Sequence, residues 1–110
     1  MNLFIIDWSK TESTPLVDCC TNSSHKVIGY ELTDGGEAYK KTARLLPDAI
    51  VINYAVKPSH GRRTAEQIHK RKSTSHIPIY FINGDEDDNE LAEHLGICFS
   101  EEEFKELLET

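Results

Sequence analysis

The 110-residue sequence contains only three cysteines, one tryptophan and one methionine, and no apolar run long enough to cross a bilayer. Its longest apolar stretches, Ala49–Ile52 and Ile77–Ile82, fall far short of the roughly 20 residues that a membrane-spanning helix needs. The N-terminus, MNLFIIDWSK, has an acid at position 7 and lacks the basic start and small-residue cleavage site of a secretory signal. A cytoplasmic protein is expected. Two adjacent cysteines, Cys19 and Cys20, and a distant Cys98 form neither a disulfide framework nor a CxxC pair. Cys98 lies in a short apolar stretch and is expected to pack as a small hydrophobe.

Basic residues are also scarce. Twelve lysines and arginines against nineteen acids leave a formal net charge of -7, which argues against a protein that coats nucleic acid by neutralising phosphates. The charge is unevenly spread. Lys57 to Lys72 holds six basic residues and one acid, Glu66, whereas Asp85 to Thr110 holds eleven acids and one base, Lys105. This predicts two faces of opposite sign. The chemical motifs of common enzyme classes are missing too: there is no glycine-rich phosphate loop, no catalytic Cys–His pair and no Ser–His–Asp set. His60 and His69 are not at metal-ligand spacing. Asp85 to Asp88 lacks the alternating ligands and glycine of an EF-hand loop.

What is present is a regular alternation of short apolar runs and amphipathic stretches, in a chain of the length of one domain (1–110) with 38% hydrophobic and 28% charged residues. Leu3–Ile6 reads as a buried strand closed by Asp7. The Ser- and Thr-rich segment Ser9 to Ser24, with Pro15, has a weak helical pattern at Leu16, Val17, Cys19 and Cys20. Lys26 to Leu32 is strand-like and ends in the turn cluster Thr33-Asp34-Gly35-Gly36. Glu37 to Leu46 reads as an amphipathic helix stopped by Pro47, and Ala49–Ile52, closed by Asn53, as the central strand.

Thr64 to Lys72 predicts a helix with a narrow apolar face at Ala65 and Ile68. Pro78 opens a fourth strand, Ile79–Ile82, closed by Asn83-Gly84. The acidic stretch Asp85 to Glu93 suits the positive end of a helix dipole, with Leu91, Ala92 and Leu95 expected to face inward before Gly96. Ile97-Cys98-Phe99 is a short fifth strand. Ser100 and Glu103 have the spacing of a capping box, followed by apolar residues at Phe104, Leu107 and Leu108. Five strands alternating with helices predict a doubly wound parallel sheet with helices on both faces. Right-handed crossovers then bring Asp7, Asn53 and Asn83 to one sheet edge, where ligands sit in such folds.

The segment DGGEAYKKTARLLPDAIVIN, together with Gly61 and the later PIYFING, resembles the response-regulator receiver domain over essentially the whole chain. The resemblance implies the flavodoxin-like fold with strand order 2-1-3-4-5. Receivers use a carboxylate nucleophile, acidic neighbours for Mg²⁺, a hydroxyl residue and a lysine. Most of that set has changed here. Asp7 aligns with one of the paired acids, but its neighbour is Trp8; Asn53 stands at the phospho-acceptor position, Asn83 replaces the hydroxyl residue, and Ser100 and Glu101 stand where the lysine is expected. Pro58 falls one residue later than the family usually has it.

The resemblance and these departures imply a pseudo-receiver, a non-enzymatic signalling or interaction module without a cofactor or metal. Its partner would be another protein or a second copy of itself. Asp7, Trp8, Asn53, Asn83 and Ser100 are its expected vestigial pocket. Arg62, Arg63, Lys70, Arg71, Lys72, Asp85, Asp87, Glu90, Glu102 and Lys105 are its expected charged interaction surface. The alternative is a small flavodoxin-like enzyme, or a nucleotide or nucleic-acid binder, using the sheet edge or the basic 57–72 segment.

Overall fold

The longest largely buried apolar runs, Leu3–Ile6, Ala49–Ile52 and Ile79–Ile82, occupy the three central strands of the sheet. In the computed structural model, which describes residues 1–8 and 15–109, the elements run β1 (Asn2–Asp7), α1 (Pro15–Thr21), β2 (Lys26–Glu31), α2 (Gly35–Leu45), β3 (Ala49–Asn53), α3 (Pro58–Lys70), β4 (Ile79–Ile82), α4 (Glu86–Ala92), β5 (Ile97–Phe99) and α5 (Glu101–Glu109). All four strand pairings are parallel, in the order β2-β1-β3-β4-β5. This is the doubly wound sheet that the alternation predicts, in the flavodoxin-like strand order that the receiver resemblance implies. The first part of the expected helix over Ser9 to Ser24 lies outside the described residues.

Side-chain alternation along the strands divides the apolar core into two layers. Phe4, Ile6, Ile50, Ile52, Ile79 and Phe81 point to one side and pack with Ala38 of α2, Ala65 and Ile68 of α3, and Ala92 of α4. Leu3, Ile5, Val51 and Ile82 point to the other and pack with Val17 and Cys20 of α1 and Phe104 and Leu108 of α5. Cys98 is half-buried and packs against the first layer, in keeping with a structural thiol.

Three expectations are corrected. The third helix begins at Pro58 rather than Thr64. Proline suits a first helical turn, where its missing N–H costs nothing, and Gly61 lets that turn sit close on β3. A Cβ at Gly61 would lie 2.6 Å from Tyr54 Cβ. Leu91 does not face inward; it is 56% exposed, while Ala92 of α4 and, beyond the helix end, Leu95 are buried. The basic and acidic segments are not fully separate faces: α3 and α4 pack on the same side of the sheet, and only α5 carries its acids on the other. Helices α3 and α4 are joined by an ion pair from Arg62 to Asp88, 3.0 Å long and half-buried.

Helix α2 begins at Gly35, two residues before the expected Glu37, and α5 begins as its sequence indicates. Asp34 caps α2 by accepting from Gly36 N. At α5, Ser100 Oγ accepts from Glu103 N at 3.1 Å and Glu103 Oε1 accepts from Ser100 N at 2.9 Å, the reciprocal capping box. These hydrogen bonds hold the Glu103 carboxyl below its ordinary value. The left-handed Leu46 (φ 46°) ends α2, its N–H reaching back to Thr42 O.

Candidate functional site

Parallel pairing in register places the strand ends level. Asp7 pairs with Asn53, Asn53 with Ile82, and Ile82 with Phe99. Trp8, Tyr54, Asn83 and Ser100 are therefore the next residues outward on four adjacent strands, and the edge expected to carry chemistry is assembled as predicted.

At its centre, Asp7 is 1% exposed. The Asn53 amide donates to Asp7 Oδ2 at 3.4 Å, while Asn53 Oδ1 accepts from Ala55 N at 3.3 Å. The amide is thus oriented by two contacts, its donor toward the carboxylate and its acceptor toward the following loop. Trp8 is buried and meets His60 edge-on, with ring centroids 5.9 Å apart. Its indole Nε1 is buried and has no hydrogen-bond partner among the described residues.

Tyr54, the residue after β3, organises this end of the sheet although no sequence motif singles it out. It is fully buried, its ring lies 5.0 Å from that of Phe81, and its hydroxyl donates to Asn89 Oδ1 at 2.5 Å. Burial and the nearby Cys98 push its phenol pKa up. Asn89 in turn donates to Gly84 O at 3.4 Å and offers its own carbonyl to Cys98 Sγ at 3.6 Å. Gly84 is required there: a Cβ would stand 2.5 Å from the Tyr54 hydroxyl. Asn83 takes a left-handed turn (φ 64°), a conformation asparagine tolerates, and its side chain is exposed. Ser100 is committed to capping α5. The five expected pocket residues thus share one edge, but only Asp7 and Asn53 bond to one another.

These residues do not fit the Mg²⁺ that the receiver fold implies. Such a hard cation is held by carboxylates, carbonyls and water; here a single carboxylate faces the donor end of an amide, and the adjoining side chain is an indole. No group of three or more His, Cys, Asp or Glu suited to a metal occurs among the described residues.

The charged surface divides into committed and exposed groups. Arg62 is paired with half-buried Asp88, whereas Lys70 pairs with Glu66 at 2.8 Å with both side chains still exposed. Arg71 stacks its guanidinium 3.9 Å over the Tyr39 ring and donates to Tyr39 O, Thr42 Oγ1 and Thr74 Oγ1. Arg71 is therefore a structural tie between α2 and the turn after α3, not a surface cation, and the basic stretch has less to offer a partner than its sequence indicates. Arg63 and Lys72 stay exposed; so do Asp85, Asp87, Glu90, Glu102 and Lys105, with Asp85 also capping α4 through Asp88 N.

Sequence reasoning missed a buried carboxylate at the end of β2. Glu31 accepts from Lys41 Nζ at 2.7 Å, from Thr33 N and Oγ1, and from Asp34 N. Burial opposes its charge, but the bonds from Lys41, Thr33 and Asp34 prevail and hold its carboxyl at about 2. The signal was the turn itself, whose first N–H groups need an acceptor.

With this geometry in place, the comparisons are specific about architecture. The chain has the fold of response-regulator receiver domains. It superposes on a protein assigned as a response regulator from Chloroflexus aurantiacus J-10-fl with a TM-score of 0.76 and 18% identity, over 97% of this chain and 89% of the other. The signal receiver domain of a modulated diguanylate cyclase from Desulfovibrio desulfuricans G20 gives 0.73 at 18% identity, over 97% and 86%. The response regulator domain of Thermotoga maritima CheB gives 0.63 at 19% identity, over 90% and 75%. No family model matches the sequence, and no curated protein matches it.

Proposed function

We propose that the chain is a pseudo-receiver: a receiver-fold module of a cytoplasmic signalling pathway that binds another protein and takes no phosphoryl group. The observation that carries this reading is the pairing of Asp7 with the Asn53 amide at the sheet edge. An amide is not a nucleophile for phosphoryl transfer, and as a donor it supplies the hydrogen bond that a carboxylate would otherwise seek from a cation. The buried Trp8 next to it adds no metal ligand. Removing the carboxylate–carboxylate repulsion leaves the edge in a single arrangement, and function moves to the helical surfaces. Of these, the α4–β5–α5 side carries exposed acids without an equal number of exposed bases.

The test is direct. Incubation with acetyl phosphate and millimolar Mg²⁺ is expected to add no phosphoryl mass and to leave the amide NMR spectrum unchanged. A stoichiometric phosphoprotein, or Mg²⁺-dependent shifts centred on Asp7 and Asn53, would overturn the reading.

A further inference from the structure

β5 is the outermost strand of the sheet and pairs only with β4, so half of its backbone groups are turned toward solvent, as on any edge strand. Beside it runs a groove of about 640 Å³ between β5 and α4. Gly96, Ile97 and Cys98 form its strand wall, and Glu86, Glu90 and Glu93 line the helix wall. Ile97 is 57% exposed, an apolar contact for a strand laid along β5. The three glutamates recur at the i, i+4, i+7 spacing of one helix face, and none forms an ion pair among the described residues. Every ionisable side chain lining the helix wall is an acid.

We propose that this groove takes an extended, lysine- or arginine-bearing segment of a partner protein, added as a strand along β5 with its cations on Glu86, Glu90 and Glu93. The inference rests on the interaction-module reading above and names its partner's chemistry. Strand addition supplies sequence-independent backbone hydrogen bonds, and the side-chain pockets supply the selection. A second copy of this chain is a poor occupant. Its own β5 would bring the same glutamates against these, and two cations of its basic segment, Arg62 and Arg71, are already bonded within the molecule.

The test uses the isotopically labelled full chain titrated with a short synthetic peptide that alternates lysine with valine, and with the same peptide carrying glutamate for lysine. The lysine peptide is expected to shift the amides of Gly96, Ile97, Cys98 and α4 and to slow hydrogen exchange along β5, whereas the glutamate peptide leaves them unmoved. The double variant Glu90→Lys/Glu93→Lys is expected to weaken binding about tenfold, and Glu102→Lys/Glu106→Lys on α5 much less, since only the former removes facing charges. Both variants replace exposed residues, and a second substitution, Ile97→Ser, is expected to weaken binding by removing the apolar contact.

Equal losses from the α4 and α5 variants would mean diffuse attraction to an acidic protein and would overturn the groove. So would shifts centred elsewhere, an absence of binding, or a dimer sedimenting without peptide with β5 already protected. If the groove fails while acetyl phosphate still adds nothing, only this inference falls. Phosphoryl uptake would instead remove the reading beneath it.

Discussion

Glu31 and Asp7 are both buried carboxylates, and local chemistry decides what each contributes. Glu31 is a buried carboxylate supplied with four donor contacts, so its charge stabilises the fold. Its folded pKa of about 2 lies below the ordinary 4.5. The stabilisation is therefore complete above about pH 4.5 and is lost as pH falls toward 2. Glu31→Gln, which keeps the shape but loses the charge, is expected to cost about 2 kcal/mol at neutral pH. In urea titrations its deficit should shrink as the pH approaches 2; a deficit independent of pH would mean the charge is not what matters.

Asp7 is buried with the Asn53 amide as a contact. Asn53→Asp would set a second carboxylate against it, and like charges at that range cannot both ionise cheaply. The variant is expected to be less stable than the parent at pH 7, and to recover on acidification or with added Mg²⁺. Thermal melts of both proteins with and without the ion would show it, and equal melting points in all conditions would rule it out.

At the scale of elements, the order of strands and helices was readable because each strand is a brief apolar run bounded by Pro, Gly, Asn or Asp. The helix boundaries were less so. The first turn of α3, Pro58-Ser59-His60-Gly61, has no apolar side chain to reveal it, because what packs there is the lack of one: Gly61 faces Tyr54 at a distance no Cβ fits. Gly→Ala in an exposed helix stabilises by about 1 kcal/mol. Here Gly61→Ala is expected to destabilise by about 2 kcal/mol instead, by overpacking α3 against β3, and the sign alone decides the matter in a denaturant titration.

Leu91 was misread for a related reason. Leu91, Ala92 and Leu95 lie close together at the end of α4 and just beyond it, and only the packed structure shows that Ala92 and Leu95 are the ones used. Arg71 looked like one more surface cation, since no one-dimensional pattern reports a stack on Tyr39 thirty-two positions earlier. Arg71→Lys keeps the charge but not the planar fork. A loss of about 1 kcal/mol is expected, with faster hydrogen exchange in the turn that holds Thr74; retention of full stability would reduce the tie to a passive contact.

For the molecule as a whole, the candidate edge was legible from sequence because register follows from strand ends: Asp7, Asn53 and Asn83 close three apolar runs, and a parallel sheet makes them neighbours. The charge layout was not, since a count along the chain cannot say which charges pair. Folding joins Arg62 to Asp88 and takes Arg71 off the surface, so the basic segment presents fewer cations than its count indicates. The first turn of α4 holds Glu86, Asp87 and Asp88, and that of α5 holds Glu101, Glu102 and Glu103.

Acids at helix starts are favoured by the dipole, but within a chain of net charge -7 they also repel one another across the α4–β5–α5 side. The two effects respond differently to salt. Exposed repulsion is screened once the Debye length shortens to about 8 Å at physiological ionic strength, while the half-buried Arg62–Asp88 pair is screened much less. Raising sodium chloride from low to near-molar concentration is therefore expected to raise the melting temperature at pH 7. The gain should shrink in Glu90→Gln/Glu93→Gln, which removes part of the repulsion beforehand. A melting temperature that falls with salt would mean that attraction, not repulsion, governs the surface, and that the glutamates of the β5 groove are already satisfied within the fold.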